Sequence, residues 1–200
     1  MTPDSNITEI SADERSLLFP IILSAYNPAW PEWFAEEKMN LEKLIGNVIY
    51  HISHIGSTSV PGLLAKPTVD ILIEIPTDTD IEALKSALPY PEYIQMPDSD
   101  KADVPPLHLM FVKGYTNLGF AKKVYHIHVR YIGDWDEVYF CEYLTAHPEV
   151  ADEYAALKRK LKEKFEYDRD SYTDAKGEFI KAVTKLARKT AEKQGVRNDY

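Results

Sequence analysis

The stretch Thr68-Val69-Asp70-Ile71-Leu72-Ile73-Glu74-Ile75 decides how this chain folds. Its β-branched aliphatic residues fall on every second position, which is the repeat of a β-strand. Val69, Ile71, Ile73 and Ile75 therefore face one way, and Thr68, Asp70, Leu72 and Glu74 face the other. Pro76 closes the strand, having no N–H to give to a ladder. A second clean alternation runs over 124–131, where Tyr125, Ile127, Val129 and Tyr131 oppose His126, His128 and Arg130. If both aliphatic faces pack beneath helices, the opposite sheet face gathers Asp70, Glu74, His126, His128 and Arg130. A solvated sheet face carries charge by default. Two histidines two apart beside a strand carboxylate are a less ordinary set, with groups able to hold a cation or accept a proton near neutrality, and this face is the candidate site.

Working outward, Asn47–Ile55 reads as a preceding strand that runs into a turn with Gly56, Ser57, Pro61 and Gly62. Before it, Pro31 opens a helix that carries Phe34, Leu41, Leu44 and Ile45 at helical spacing and ends near Gly46. Ser11 and Glu14 have the spacing of a capping box, so residues 1–18 are expected to be an extension with one short helix, ahead of a single domain over 19–200. After the central strand, Asp80 caps a short helix, and a proline-rich loop is expected over 89–106 before a strand at 107–112. Asp134 and Glu137 suggest the cap of a helix running to about Leu144. A further helix opens at Pro148 and is expected to bury Val150, Tyr154, Leu157, Leu161 and Phe165. The last is expected to bury Phe179, Ile180, Val183 and Leu186. The order of elements makes the class α+β.

Composition agrees with a globular chain: 200 residues, 44% hydrophobic and 12% aromatic, enough apolar area to build a core. The net charge of −9 argues against general nucleic-acid binding. No apolar run approaches the roughly 20 residues of a membrane span. The single cysteine, Cys141, cannot close an internal disulfide and reads as helix packing, so a reducing, cytoplasmic setting is expected. The turn at Gly56 is not a Walker loop, because five residues separate Gly56 from Gly62 and Leu63 follows. It remains a turn rich in N–H and hydroxyl groups, suited to cradling phosphates.

Gly56-Ser57 at a strand end, followed after twelve residues by Asp70 inside the next strand, resembles the arrangement of the nucleotidyltransferase superfamily. Within it the chain resembles the GrpB-like family. The resemblance lies in Tyr26–Pro31 (YNPAWP), His54–Ile71 (HIGSTSVPGLLAKPTVDI), His126–Val129 (HIHV), Ala146–Glu149 (AHPE), Tyr154–Lys158 (YAALK) and Tyr172–Lys176 (YTDAK). It implies a nucleotidyltransferase-like mixed sheet with helices on one face and helices at the C-terminus. Some relatives are similar to the domain fused behind dephospho-coenzyme A kinases, which implies proximity to nucleotide or coenzyme metabolism.

The expected activity is metal-dependent transfer of a nucleoside monophosphate from a nucleoside triphosphate to a small acceptor. Gly56, Ser57 and Thr58 would hold the triphosphate, and Lys66 and Arg130 would neutralise the leaving pyrophosphate. Asp70 and His128 would hold a divalent ion, Mg²⁺ or Mn²⁺, with His126 or His128 as ligand or general base. The chain departs from the superfamily at Leu72, where active members usually place a second carboxylate. That position is expected on the cleft face and half exposed. The alternative is a nucleotide- or phosphate-binding module without turnover.

Overall fold

The computed structural model describes residues 10–96 and 107–194. The expected loop at 97–106, the first nine residues of the extension and residues 195–200 lie outside the described residues. Seven α-helices and five strands are described: α1 (Ala12–Leu18), α2 (Trp30–Ile45), β1 (His51–Ile55), β2 (Val69–Ile75), α3 (Ile81–Ala87), β3 (Ile94–Gln95), β4 (Leu109–Thr116), β5 (Gly119–Tyr131), α4 (Asp136–Ala146), α5 (Pro148–Phe165), α6 (Arg169–Asp174) and α7 (Gly177–Gln194). A single 3-10 turn, Ser57–Ser59, follows β1. The class is α+β, and the sheet order is β1-β2-β5-β4-β3. The β2–β5 pair is parallel and the other pairs are antiparallel, so the sheet is mixed.

Local chemistry sets most helix starts. Ser11 accepts from the Glu14 N–H, and the Glu14 carboxylate accepts from the Ser11 N–H, closing the capping box of α1. Asp80 accepts from the Ala83 N–H at the start of α3. The cap expected from Asp134 and Glu137 does not form. α4 starts after Trp135 with no side-chain cap, because Arg188 takes Asp134 and Arg130 takes Glu137. Strand β1 is shorter than expected, beginning at His51, while β5 reaches back to Gly119 and pairs with a longer β4. Strand β3 and helix α6, too short to impose a period, were not foreseen. No helix among the described residues is long and apolar enough to cross a membrane.

The two faces of the sheet carry different cores. Under one, Val69, Ile71, Ile73 and Ile75 meet Trp30, Leu41 and Ile45 of α2, Leu84 of α3, and Ile127 and Val129 of β5. On the other, Leu72 and Ile55 pack with Phe140, Cys141 and Leu144 of α4, Tyr154 of α5 and Val183 of α7. Helices thus cover both faces, not one. Leu72, expected to be half exposed, is fully buried. The buried stripe of α5 is also rotated from its expected place. It consists of Ala151, Tyr154, Ala155 and Lys158, since two alanines let the helix approach closely. On α7, Ala187 is buried while Leu186 is 48% exposed.

Candidate functional site

The α4–α7 cover leaves part of the second face open, and a cleft of about 1670 Å³ lies there. Parallel pairing sets Asp70 opposite His126 and Leu72 opposite His128. On that face Asp70 Oδ1 lies 3.2 Å from His126 Nδ1 and 3.8 Å from His128 Nε2. The two strands therefore bring together three of the five residues that the alternations pointed to. One donor atom from each of Asp70, His126 and His128 lies within 4.8 Å of the others.

A polar chain orients this cluster. Arg169 Nη2 donates to the Tyr115 hydroxyl at 2.9 Å, and that hydroxyl lies 2.7 Å from His126 Nε2. With its oxygen occupied by the guanidinium, Tyr115 donates its own proton to Nε2, and the neutral imidazole then carries its proton on Nδ1, toward Asp70. Burial pushes His126 down to about 4, against the pull of Asp70, so the ring is neutral at physiological pH. Burial also works against the Asp70 charge. There the hydrogen bond from His126 and the nearby His128 ring outweigh it, and the carboxyl is held below the usual carboxylate range. Tyr115 reaches the cleft through a bulge. Gly114 sits at φ +85°, where the register of β4 shifts, so Tyr115 lies on the cleft side instead of following Lys113 to the other face. A glycine inside a strand pattern was the available signal for it.

The Gly56 turn stands directly over Asp70. Gly56 has φ +73°, and a Cβ there would come within 2.3 Å of Asp70 Oδ2, so both backbone conformation and contact demand glycine. Its carbonyl accepts from the Ser59 hydroxyl at 2.7 Å. Ser57 lines the cleft and accepts from Lys158 Nζ at 3.1 Å. Thr58, expected among the phosphate contacts, is buried outside the cleft lining. Its hydroxyl lies 2.9 Å from His54 Nε2 and donates to the Thr68 carbonyl.

Lys66 lines the cleft, as do five cationic residues not foreseen as site groups: Arg15 of α1, Lys158 of α5, Arg169 of α6, Lys176, which precedes α7, and Arg188 of α7, whose guanidinium is taken by Asp134 and Asp136. Lys158 and Lys176 stood inside the YAALK and YTDAK motifs, and Lys158 follows Tyr154 by one helical turn, yet neither was singled out as a site group. Arg130 also lines the cleft, four residues along β5 from His126, but its charge is already met: Nη2 donates to Glu137 at 2.7 Å, and Nη1 contacts His108. Glu74 is not among the lining residues. It is buried and accepts from the Gly133 N–H at 3.2 Å. Cys141 is packed beneath the turn, its thiol pushed up to about 11 by burial, as befits a core residue.

Residues 20–186 match the family described as GrpB protein. The glutamate-rich protein GrpB of Alkalihalophilus pseudofirmus is 34% identical over 171 residues, spanning 82% of this chain and 93% of that protein. The crystal structure of conserved protein GrpB from Enterococcus faecalis superposes with a TM-score of 0.71 at 29% identity, covering 84% of this chain and 98% of that one. A dephospho-CoA kinase of Mycolicibacterium paratuberculosis is 23% identical over 195 residues, and the match spans 88% of this chain and 48% of the kinase. The length of the family match and the identity shared with a relative covered almost end to end lead to one assignment: this chain belongs to the GrpB family.

Proposed function

We propose that this chain is a divalent-metal-dependent nucleotidyltransferase that moves a nucleoside monophosphate from a nucleoside triphosphate to a small hydroxyl or amine acceptor. The observation that carries the reading is the convergence of Asp70, His126 and His128 directly beneath the Gly56-Ser57 turn. The nucleotidyltransferase-like description of the sheet belongs to this same proposal. The stretch shared with a dephospho-CoA kinase supports a nucleotide or coenzyme setting.

Asp70 and His128 would hold the ion, and His126 would join them through Nδ1 by shifting its proton to Nε2, which then donates to the Tyr115 hydroxyl. One carboxylate and two imidazoles suit Mn²⁺ better than Mg²⁺, which prefers oxygen ligands. The ion supplies positive charge against the reacting phosphate. Gly56 and Ser57 position the triphosphate, and Tyr115 with Arg169 keeps His126 and Asp70 oriented. In the transfer, the acceptor oxygen or nitrogen bonds to the α-phosphorus as the bond from that phosphorus to the bridging oxygen breaks. Pyrophosphate leaves, and the acceptor's proton passes to water. The loose transition state of such transfers asks little of a base.

The test is pyrophosphate release from four nucleoside triphosphates with Mg²⁺ or Mn²⁺ and pooled small-molecule acceptors. Turnover should appear with Mn²⁺ and fall by about 10²-fold or more in Asp70→Asn. No release under any combination would overturn the transferase reading. One observation favours the second reading, a binding module without turnover: the cluster contains a single carboxylate, and Leu72 is sealed in the core where a second would be needed.

A further inference from the structure

We infer that Lys66, Lys158, Lys176 and Arg169 form a seat for the phosphate tail of the ligand, a phosphate or pyrophosphate group, in the cleft that holds Asp70. This deepens the nucleotide reading and rests on it for the identity of the phosphate donor.

The four cations come from the segment before β2, from α5, from α6 and from the start of α7, and they line one cleft. Among the described residues none of them makes an ion pair with a carboxylate. Lys158 donates to the Ser57 hydroxyl and the Leu64 carbonyl and lies 4.4 Å from the centroid of the Tyr154 ring. Lys176 and Lys66 both lie over Tyr172, at 4.5 Å and 5.8 Å from its centroid. Tyr172 is itself fully buried, lines the cleft, and has a hydroxyl without a hydrogen-bond partner among the described residues. Such a cluster is costly when empty. Burial, then mutual repulsion, pushes Lys66 and Lys158 down to about 7; burial pushes Lys176 to about 8, with Arg169 repelling it and Asp70 attracting it. Aromatic faces and carbonyls soften that cost without cancelling the charge, and a polyvalent anion would cancel it. The seat adjoins Ser57, so a phosphate chain held there would extend toward Gly56 and Asp70.

The experiment is calorimetric titration of the full chain with inorganic pyrophosphate and, separately, with a nucleoside triphosphate, both in chelator. The wild type should bind both ligands. Lys176→Met, which keeps the stem over Tyr172, should weaken both by at least about tenfold, the equivalent of one charge-assisted hydrogen bond. Lys176→Arg should retain binding, and Lys181→Met, on the exposed side of α7, should match the wild type. The thermal midpoint of empty Lys176→Met should equal or exceed that of the wild type, since a buried like charge has been removed. Failure of pyrophosphate to bind, equal affinity in Lys176→Met, or equal loss in Lys181→Met overturns the seat. Binding that follows this pattern without turnover of any triphosphate upholds the seat while the transferase reading falls.

Discussion

The two faces of the central sheet contrast sharply. The face under α2 and α3 is filled by aliphatic side chains from β2 and β5 against aromatic and aliphatic residues, and its composition follows the strand period residue by residue. The other face is divided. Ile55 and Leu72 enter a second core under α4, α5 and α7, whereas Asp70, His126 and His128 stand in a cleft. A shared face is therefore not a shared environment. Two residues along β2 separate a carboxylate at the cleft from a leucine sealed beneath helices.

Substitution of Leu72 by aspartate should break this division most severely. Had the position been half exposed, Leu72→Asp would add a metal ligand at modest cost. In the observed core it buries a charge without a partner, and the expected loss is about 3–5 kcal/mol or more, enough to consume most of a marginal stability. Urea unfolding measures it, and a wild-type midpoint for Leu72→Asp would mean that the second core does not close over this residue.

Gly56→Ala tests the opposite half of the same face. The positive φ and the near contact with Asp70 Oδ2 should cost roughly 1–3 kcal/mol, and the displaced turn should impair Mn²⁺ binding to the Asp70 cluster. Calorimetry with Mn²⁺ alongside thermal melts checks both effects. Unaltered metal affinity with unaltered stability would show that turn and carboxylate are not coupled.

The smallest expected effect is a pH dependence of stability that the aliphatic face cannot produce. The values of about 7 for Lys66 and Lys158 and about 8 for Lys176 lie below that of an unperturbed lysine, about 10.4. Between roughly pH 7 and 9 the unfolded chain therefore binds more protons than the folded one, and these groups make stability rise with pH. Below that window they are charged in both states and their contribution is flat. Cys141, held near 11, opposes the rise above about pH 9, where an exposed thiol ionises first. Thermal midpoints across the window should climb in the wild type and climb less in Lys176→Met. Parallel curves would contradict the depressed lysines.

Much of the candidate site was legible in the sequence. The alternations placed Asp70, His126 and His128 together because a two-residue period leaves a strand side chain only two sides to choose between. Gly56 was legible as a turn, though not as the residue that makes room for Asp70. Tyr115 escaped notice because the expected strand stopped at Val112, short of the bulge that turns this tyrosine toward the cleft. Lys158 escaped because charge on a helix ordinarily means solvent, and Arg169 and Lys176 escaped because α6 was not foreseen and no period places the residues around it. Arg130 and Thr58 were assigned to phosphate on residue type, and neighbouring side chains claim both.

By itself the sequence determined the period of β2 and β5, the capped starts of α1 and α3, and the family, since each depends on residues near one another in the chain. Only the tertiary structure decided that helices cover both faces, that Leu72 is core, and that three lysines and an arginine meet in one cleft. Those outcomes depend on where α4–α7 dock, and docking is set by the summed packing of many weak contacts between segments far apart in sequence, which no local pattern encodes.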